Sequence, residues 1–144
     1  MKKVADILNR KGKNTISVTP QTAVIDALRL MADKNIGSVL VMSGDEYQGL
    51  MTERDYSRKV ILKGKSSNDT TVAEIMSTDL PTVQPNDSID HCMQLLSDKH
   101  IRYLPVFANN KIDGIISIND VVQEIILSQQ ETISNLKDYL YSNS

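Results

Sequence analysis

The segment Gly49-Leu50-Met51-Thr52-Glu53-Arg54-Asp55 returns 65 residues later as Gly114-Ile115-Ile116-Ser117-Ile118-Asn119-Asp120. At the same offset, Val18–Asp55 lies over Val83–Asp120 without a gap. Val18/Val83, Pro20/Pro85, Leu30/Leu95, Asp33/Asp98, Lys34/Lys99, Ile36/Ile101, Val41/Val106, Gly49/Gly114 and Asp55/Asp120 are identical, and most other pairs keep apolar against apolar. Upstream, Val4-Ala5-Asp6-Ile7-Leu8 answers Val72-Ala73-Glu74-Ile75-Met76 at an offset of 68, so the first copy has a linker three residues longer. An ungapped match that also preserves periodicity marks an internal repeat.

Each copy predicts the same elements. A short helix (Val4–Leu8, Val72–Met76) leads to a strand (Ile16–Thr19, Thr82–Gln84) that Pro20 or Pro85 ends. A helix follows in which Val24, Ala27, Leu28, Met31 and Ile89, Cys92, Met93, Leu96 fall at i, i+3, i+4, i+7 on one apolar face. Ser38–Met42 with Tyr47–Met51, and Tyr103–Phe107 with Lys111–Ile116, read as hairpins around Ser43-Gly44-Asp45 and Asn109-Asn110. A last helix starts at Thr52 or Ser117. The expected fold is mixed α/β (α+β), with two pseudo-symmetric α-β-α-β-β-α repeats packed sheet to sheet. A unit of roughly 60 residues is marginal alone, so the copies are expected to share burial. The expected organisation is repeat 1 over residues 1–65, repeat 2 over 66–127 and a helical extension over 128–144.

The recurring heptapeptide carries the chemistry. A hydroxyl followed three residues later by an acid is a capping box, in which the hydroxyl caps the helix and the acid returns the hydrogen bond. The same arrangement gathers N–H groups and a helix dipole suited to a phosphate. Its carboxylate can also accept from two adjacent hydroxyls, as a ribose diol offers. Occurrence at the same place in both copies favours the ligand reading.

Composition narrows the classes. Of 144 residues 40% are apolar and 24% charged, enough for a packed core and against wholesale disorder. Apolar runs are too short to span a membrane. Met1-Lys2-Lys3 leads into Val4-Ala5-Asp6 and not into an apolar signal core, so a cytoplasmic protein is expected. A lone Cys92 and two histidines exclude a disulfide framework and argue against a metal centre. Residues 1–65 hold 12 Lys and Arg against 7 Asp and Glu, net +5; residues 66–144 hold 4 against 11, net −7. The basic half could draw an anion. Aromatics at 4% are too few for base stacking, so a phosphate-bearing small molecule fits better than a nucleic acid.

The paired Gly-h-h-[Ser/Thr]-x-x-Asp motifs (h, an apolar residue), the Val-x-Pro strands and Asp98-Lys99-His100-Ile101-Arg102-Tyr103-Leu104-Pro105-Val106 resemble a tandem cystathionine-β-synthase (CBS) domain pair, over about residues 1–127. The resemblance implies a Bateman module that binds adenosine-containing ligands (AMP, ADP, ATP, NAD(H), S-adenosylmethionine) in two clefts between the repeats. It further implies crossed sites. In one, Asp55 takes the ribose diol and Thr52 the phosphate side, with adenine against Thr82-Val83 and Ile101–Tyr103. In the other, Asp120 and Ser117 face Ile16, Ser17, Val18 and Gly37, Ser38, Val39.

Arg54 is matched by Asn119 and Gly37 by Arg102. The first site therefore gathers two guanidiniums, Arg54 and Arg102, suited to phosphate oxygens, with Lys59 as a third cation. The Asp55 site is the expected stronger one.

Cys92 lies on the apolar stripe and reads as core. His100 ends a helix, where a cation suits the dipole. Arg58, Lys59, Lys63 and Lys65 read as a solvated basic face. Val121–Tyr141 has no Gly or Pro, and Ile126, Ile133 and Leu140 recur every seven residues with Leu136 between them. That pattern suits either a helix folded back on its domain or a self-association seam, and the resemblance tips it toward a homodimer.

Two functions remain in view. One is a non-catalytic, adenine-nucleotide-binding sensor acting through conformation or an unknown regulated partner protein. The other is a structural or interaction module whose clefts are vestigial. No nucleophile–base pair, metal set or phosphate-binding glycine loop supports an enzyme.

Overall fold

The computed structural model of the chain describes residues 1–13 and 15–142. The elements run α1 (Val4–Lys11), β1 (Ser17–Val18), α2 (Val24–Lys34), β2 (Ser38–Ser43), β3 (Glu46–Thr52), α3 (Glu53–Tyr56), a π-helical turn (Ser57–Ile61), α4 (Val72–Ile75), α5 (Ile89–Lys99), β4 (Tyr103–Ala108), β5 (Lys111–Ser117) and α6 (Ile118–Ser142). This is the mixed α/β repeat expected from the sequence. The final two residues of the expected extension lie outside the described residues.

The apolar stripes behave as their spacing requires. In α2, Val24, Ala27 and Met31 are buried; in α5, Ile89, Cys92 and Leu96 are buried. Both helices stop on a left-handed residue at matched positions, Asn35 and His100, each at φ 54°. The turn Asn109-Asn110 has φ 54° and 63°, the paired positive values that suit a two-residue hairpin.

β1, β2 and β3 form a sheet in that order, with β1 parallel and β3 antiparallel to β2. The second copy repeats the hairpin as β4 and β5, but the predicted Thr82–Gln84 strand shrinks to one parallel bridge, Val83 to Val106. The cause is one residue. In the first copy the Leu40 N–H donates to the Ile16 carbonyl at 3.0 Å. The position matching Leu40 is Pro105, which has no N–H to give, so that rung is lost. The last helices also differ. The first copy's passes from α3 into the π-helical turn, which ends at Ile61, and the chain then turns through Gly64, φ 67°. The second copy has no glycine there, and α6 runs unbroken for 25 residues.

The chain divides into two compact units that do not coincide with the sequence copies. One holds Met1–Lys13, Pro81–Ala108 and Asp113–Ser144; the other holds Asn14–Leu80 and Asn109–Ile112. The leading helices are exchanged between copies. Val72 N–H donates to Thr22 O at 2.8 Å and Ala73 N–H to Pro20 O at 2.9 Å. The matched bonds run from Val4 N–H to Asp87 O and from Ala5 N–H to Pro85 O, both 2.9 Å. One core therefore joins Val4, Ile7 and Leu8 to Val83, Cys92, Leu96, Leu104, Val106, Ile116 and Val121. The other joins Val72 and Ile75 to Val24, Ala27, Met31, Val39, Val41, Met51 and Val60.

Close approach at the motif glycines follows from this exchange. A Cβ on Gly49 would stand 2.7 Å from the Ser77 carbonyl oxygen, whereas on Gly114 it would meet the Leu8 Cδ2 methyl at 2.9 Å. A methyl can rotate away and a paired backbone carbonyl cannot. Gly49→Ala is expected to cost about 2 kcal/mol, and Gly114→Ala less than about 1 kcal/mol, read as urea midpoints at unchanged slope.

Candidate functional site

The first cap is built at the junction of β3 and α3. Thr52 is extended (φ −118°, ψ 164°), and its Oγ1 accepts from the Asp55 N–H at 3.1 Å. In return Asp55 Oδ2 accepts from the Thr52 N–H and the Thr52 hydroxyl, both at 3.0 Å. Its other oxygen, Oδ1, accepts from the Ser77 hydroxyl at 2.8 Å and pairs with Lys59 Nζ at 3.0 Å. Lys59 also donates to the Ile75 carbonyl at 2.9 Å. The result is a carboxylate only 5% exposed, with protein donors on both oxygens. Burial of a charge is tolerable only with such pairing.

The second cap keeps the box and changes the counter-ion. Asp120 Oδ2 accepts from the Ser117 N–H at 2.8 Å, and Ser117 Oγ accepts from the Asp120 N–H at 3.1 Å. Lys11 of α1 supplies the cation, with Nζ 2.7 Å from Asp120 Oδ2 and 2.9 Å from the Ile115 carbonyl. At the position matching Lys59 stands Glu124, 1% exposed and paired with Arg10 of α1. The sequence reading found Lys59 but missed Ser77, Lys11 and Arg10. Ser77 is matched by Asn9, so the repeat carries no signal for it. At the Asp120 carboxylate α1 supplies one cation, Lys11, from outside the motif, while Arg10 answers Glu124.

Each helix start is also less open than a bare N-terminus. Glu53 N–H donates to Gly37 O at 3.1 Å, and the matched Ile118 N–H to Arg102 O at 2.8 Å. Thus Gly37 and Arg102 are placed by their backbones beside the cap of their own copy.

The remaining predicted residues fall within one unit or the other. Ile16, Ser17 and Val18 run beside β2, whose start holds Ser38 and Val39 paired with Thr52 and Met51. Those residues share one unit with Thr52, Arg54 and Asp55. Thr82, Val83, Ile101, Arg102 and Tyr103 share the other with Ser117, Asn119 and Asp120. Arg54, Arg102 and Asn119 are exposed; Ser38 is buried.

Among the described residues no group of three or more His, Cys, Asp or Glu side chains is arranged to hold a metal. No helix of the described residues is long and apolar enough to cross a membrane.

Cys92 is fully buried in the core, and that burial pushes its thiol from 9.0 up to about 11. Between those values the unfolded chain releases a proton that the folded chain keeps, so stability falls as pH rises across that window. At pH 8 the native thiol is expected to resist a disulfide reagent and to react at once when the protein is unfolded in urea, read as released chromophore.

Comparison with known proteins agrees with this architecture. The chain matches the CBS domain over residues 4–61 and 72–127. It is 35% identical to the mitochondrial CBS domain-containing protein CBSX3 of Arabidopsis thaliana, over 95% of this chain and 71% of that one. A putative signal-transduction protein with CBS domains from Burkholderia ambifaria MC40-6 superposes with TM-score 0.85 at 44% identity, covering 89% of this chain and 96% of that one. The CBS domain pair of protein MJ0100, in complex with 5′-methylthioadenosine and S-adenosyl-L-methionine, shares the fold at TM-score 0.75 and 22% identity, over 86% of this chain and 99% of that one. Two matched CBS domains, carried on two copies of one capped α/β unit, make this chain a tandem member of the CBS-domain family.

Proposed function

We propose that the protein is an adenine-nucleotide-binding regulatory module, with AMP, ADP, ATP or NAD(H) as ligand and no catalytic step of its own. The carrying observation is the doubled hydroxyl–carboxylate cap. Asp55 and Asp120 are each held in one orientation by backbone N–H and cation contacts, and each presents oxygens that a ribose diol could engage. The MJ0100 pair binds two adenosyl compounds, which supports the ligand class. Arg54 and Lys59, in the same unit as Asp55, favour a phosphorylated ligand at the Asp55 site. Output then requires unequal affinity of the ligand for two states of the module or its partner.

Titration calorimetry with AMP, ATP, NADH and S-adenosylmethionine tests the reading. Binding of at least one is expected; no heat from any of them at millimolar concentration rejects it. For AMP, Asp55→Ala is expected to weaken binding roughly tenfold or more, the scale of a lost charge-assisted hydrogen bond, and Asp120→Ala to weaken it less. The reverse order assigns the phosphorylated ligand to the other cap.

One observation favours a second reading, a structural module with vestigial clefts. Both oxygens of Asp55 already have protein donors. On that reading Thr52→Ala lowers stability by about 1 kcal/mol as a lost cap, and no nucleotide shifts the melting temperature.

The exposed apolar residues of α6 from Ile126 onward suit self-association. Ile126, Ile133, Leu136 and Leu140 are 48%, 54%, 57% and 59% exposed along one seam. A homodimer through this seam is part of the proposal. Sedimentation velocity is expected to report a dimer for the native chain and a monomer for Leu136→Glu; a monomer for the native chain rejects the seam.

A further inference from the structure

The charge pattern at the end of α1 has no counterpart in the other copy. Arg10 pairs with Glu124, Lys11 with Asp120 at 2.7 Å, and Lys13 with Asp113 at 3.2 Å. In the first copy the positions matching Asp113 and Glu124 are Gln48 and Lys59. In the second copy the positions matching Arg10, Lys11 and Lys13 are Thr78, Asp79 and Pro81. The repeat is its own control: three bases and two of their three acidic partners stand only where α1 meets β5 and α6. Matched gains on both sides of one contact point to a device beyond shared packing.

The pins differ in kind. The Glu124 side chain is 2% exposed, so its pair with Arg10 anchors α1. Lys11 and Asp120 are 37% and 23% exposed, and Lys11 reaches Asp120 from the final turn, just before Gly12 at φ 90°. In the first copy the counter-ion of Asp55 is Lys59, four residues along the same local segment. Displacing Lys59 releases only its own bond to the Ile75 carbonyl at the end of α4, 16 residues on, and no contact of the N-terminal segment. Displacing Lys11 frees the end of a helix 109 residues away in sequence.

We propose that the last turn of α1 is a charge-held latch whose closed state depends on what occupies Asp120. A ligand hydroxyl that takes the Asp120 carboxylate competes with the Lys11 ammonium, and the end of the turn beyond Arg10 loosens while Arg10–Glu124 holds the helix up to that residue. The Asp120 cap thereby couples to the N-terminal segment and the Asp55 cap does not. The ligand half of this inference rests on the nucleotide reading above; the latch half stands on the ion pairs alone.

Amide hydrogen exchange over residues 8–12 of the full chain separates the two. Lys11→Met is expected to speed exchange there roughly three- to tenfold, the scale of one partly exposed pair. Asp120→Asn is expected to do the same, and the double variant to exchange no faster than the faster single one. Arg29→Met, which removes a surface cation paired with Asp26, is the control and leaves these amides unchanged. Unchanged exchange in Lys11→Met, or additive effects in the double variant, overturns the latch. Lys11→Met leaves the Ser117–Asp120 cap intact, so it decides the matter if Asp120→Asn fails to fold.

Adenosine at millimolar concentration is then added, with binding followed in parallel by calorimetry. Faster exchange in the native chain but not in Lys11→Met supports the coupling. Adenosine that binds and leaves residues 8–12 protected overturns it. Adenosine that does not bind, while Lys11→Met still speeds exchange, counts against the nucleotide reading and supports the latch as an ion-pair device.

Discussion

Backbone hydrogen bonds at the starts of α1 and α4 set which helix packs into which unit. The first N–H groups of a helix have no partner within it, and here the acceptors are carbonyls next to the strand-ending prolines. Val4 and Ala5 donate to Asp87 and Pro85; Val72 and Ala73 donate to Thr22 and Pro20. Each leading segment is thereby held on the helix start of the opposite copy, at the bridges Lys3–Ser88 and Ala23–Thr71. Burial follows these bonds. Leu8 packs under Gly114 and the Ser77 carbonyl lies over Gly49, so both motif glycines mark a seam made by exchange.

The exchange also decides the electrostatics of the caps. Because α4 follows its partner unit in the chain, Ser77 reaches Asp55. Because α1 is carried to the other unit, its cations reach Asp113, Asp120 and Glu124. Two matched capping boxes therefore acquire different surroundings: Asp55 is neutralised by Lys59 nearby in the same segment, Asp120 by Lys11 from the far end of the chain. Buried Glu124 shows what is at stake, since removal of its partner would leave a charge in the core.

Much of this was legible beforehand, and the reason is range. The stripe Val24–Ala27–Met31 follows from 3.6-residue periodicity, and the Thr52–Asp55 box closes within four residues, so neither needs tertiary information. The paired asparagines at 109 and 110 announce their turn for the same reason. Lys59 lies one helical turn beyond Asp55, so its pairing with that carboxylate is within local range. The loss of the second copy's short strand was available too, in the alignment of Pro105 with Leu40. It was missed because a repeat is read through its identities, and this effect comes from a mismatch.

The repeat, most of its elements, the caps and the family are legible in the chain because they rest on contacts a few residues long or on similarity between the copies. Which leading helix serves which unit is settled by the folded backbone. Both copies offer the same donors and acceptors, so local chemistry does not distinguish partners. The three-dimensional arrangement likewise decided that Lys11 and Arg10 answer Asp120 and Glu124. A charge declares its sign in the sequence, but its partner across more than a hundred residues is set by the path of the folded backbone.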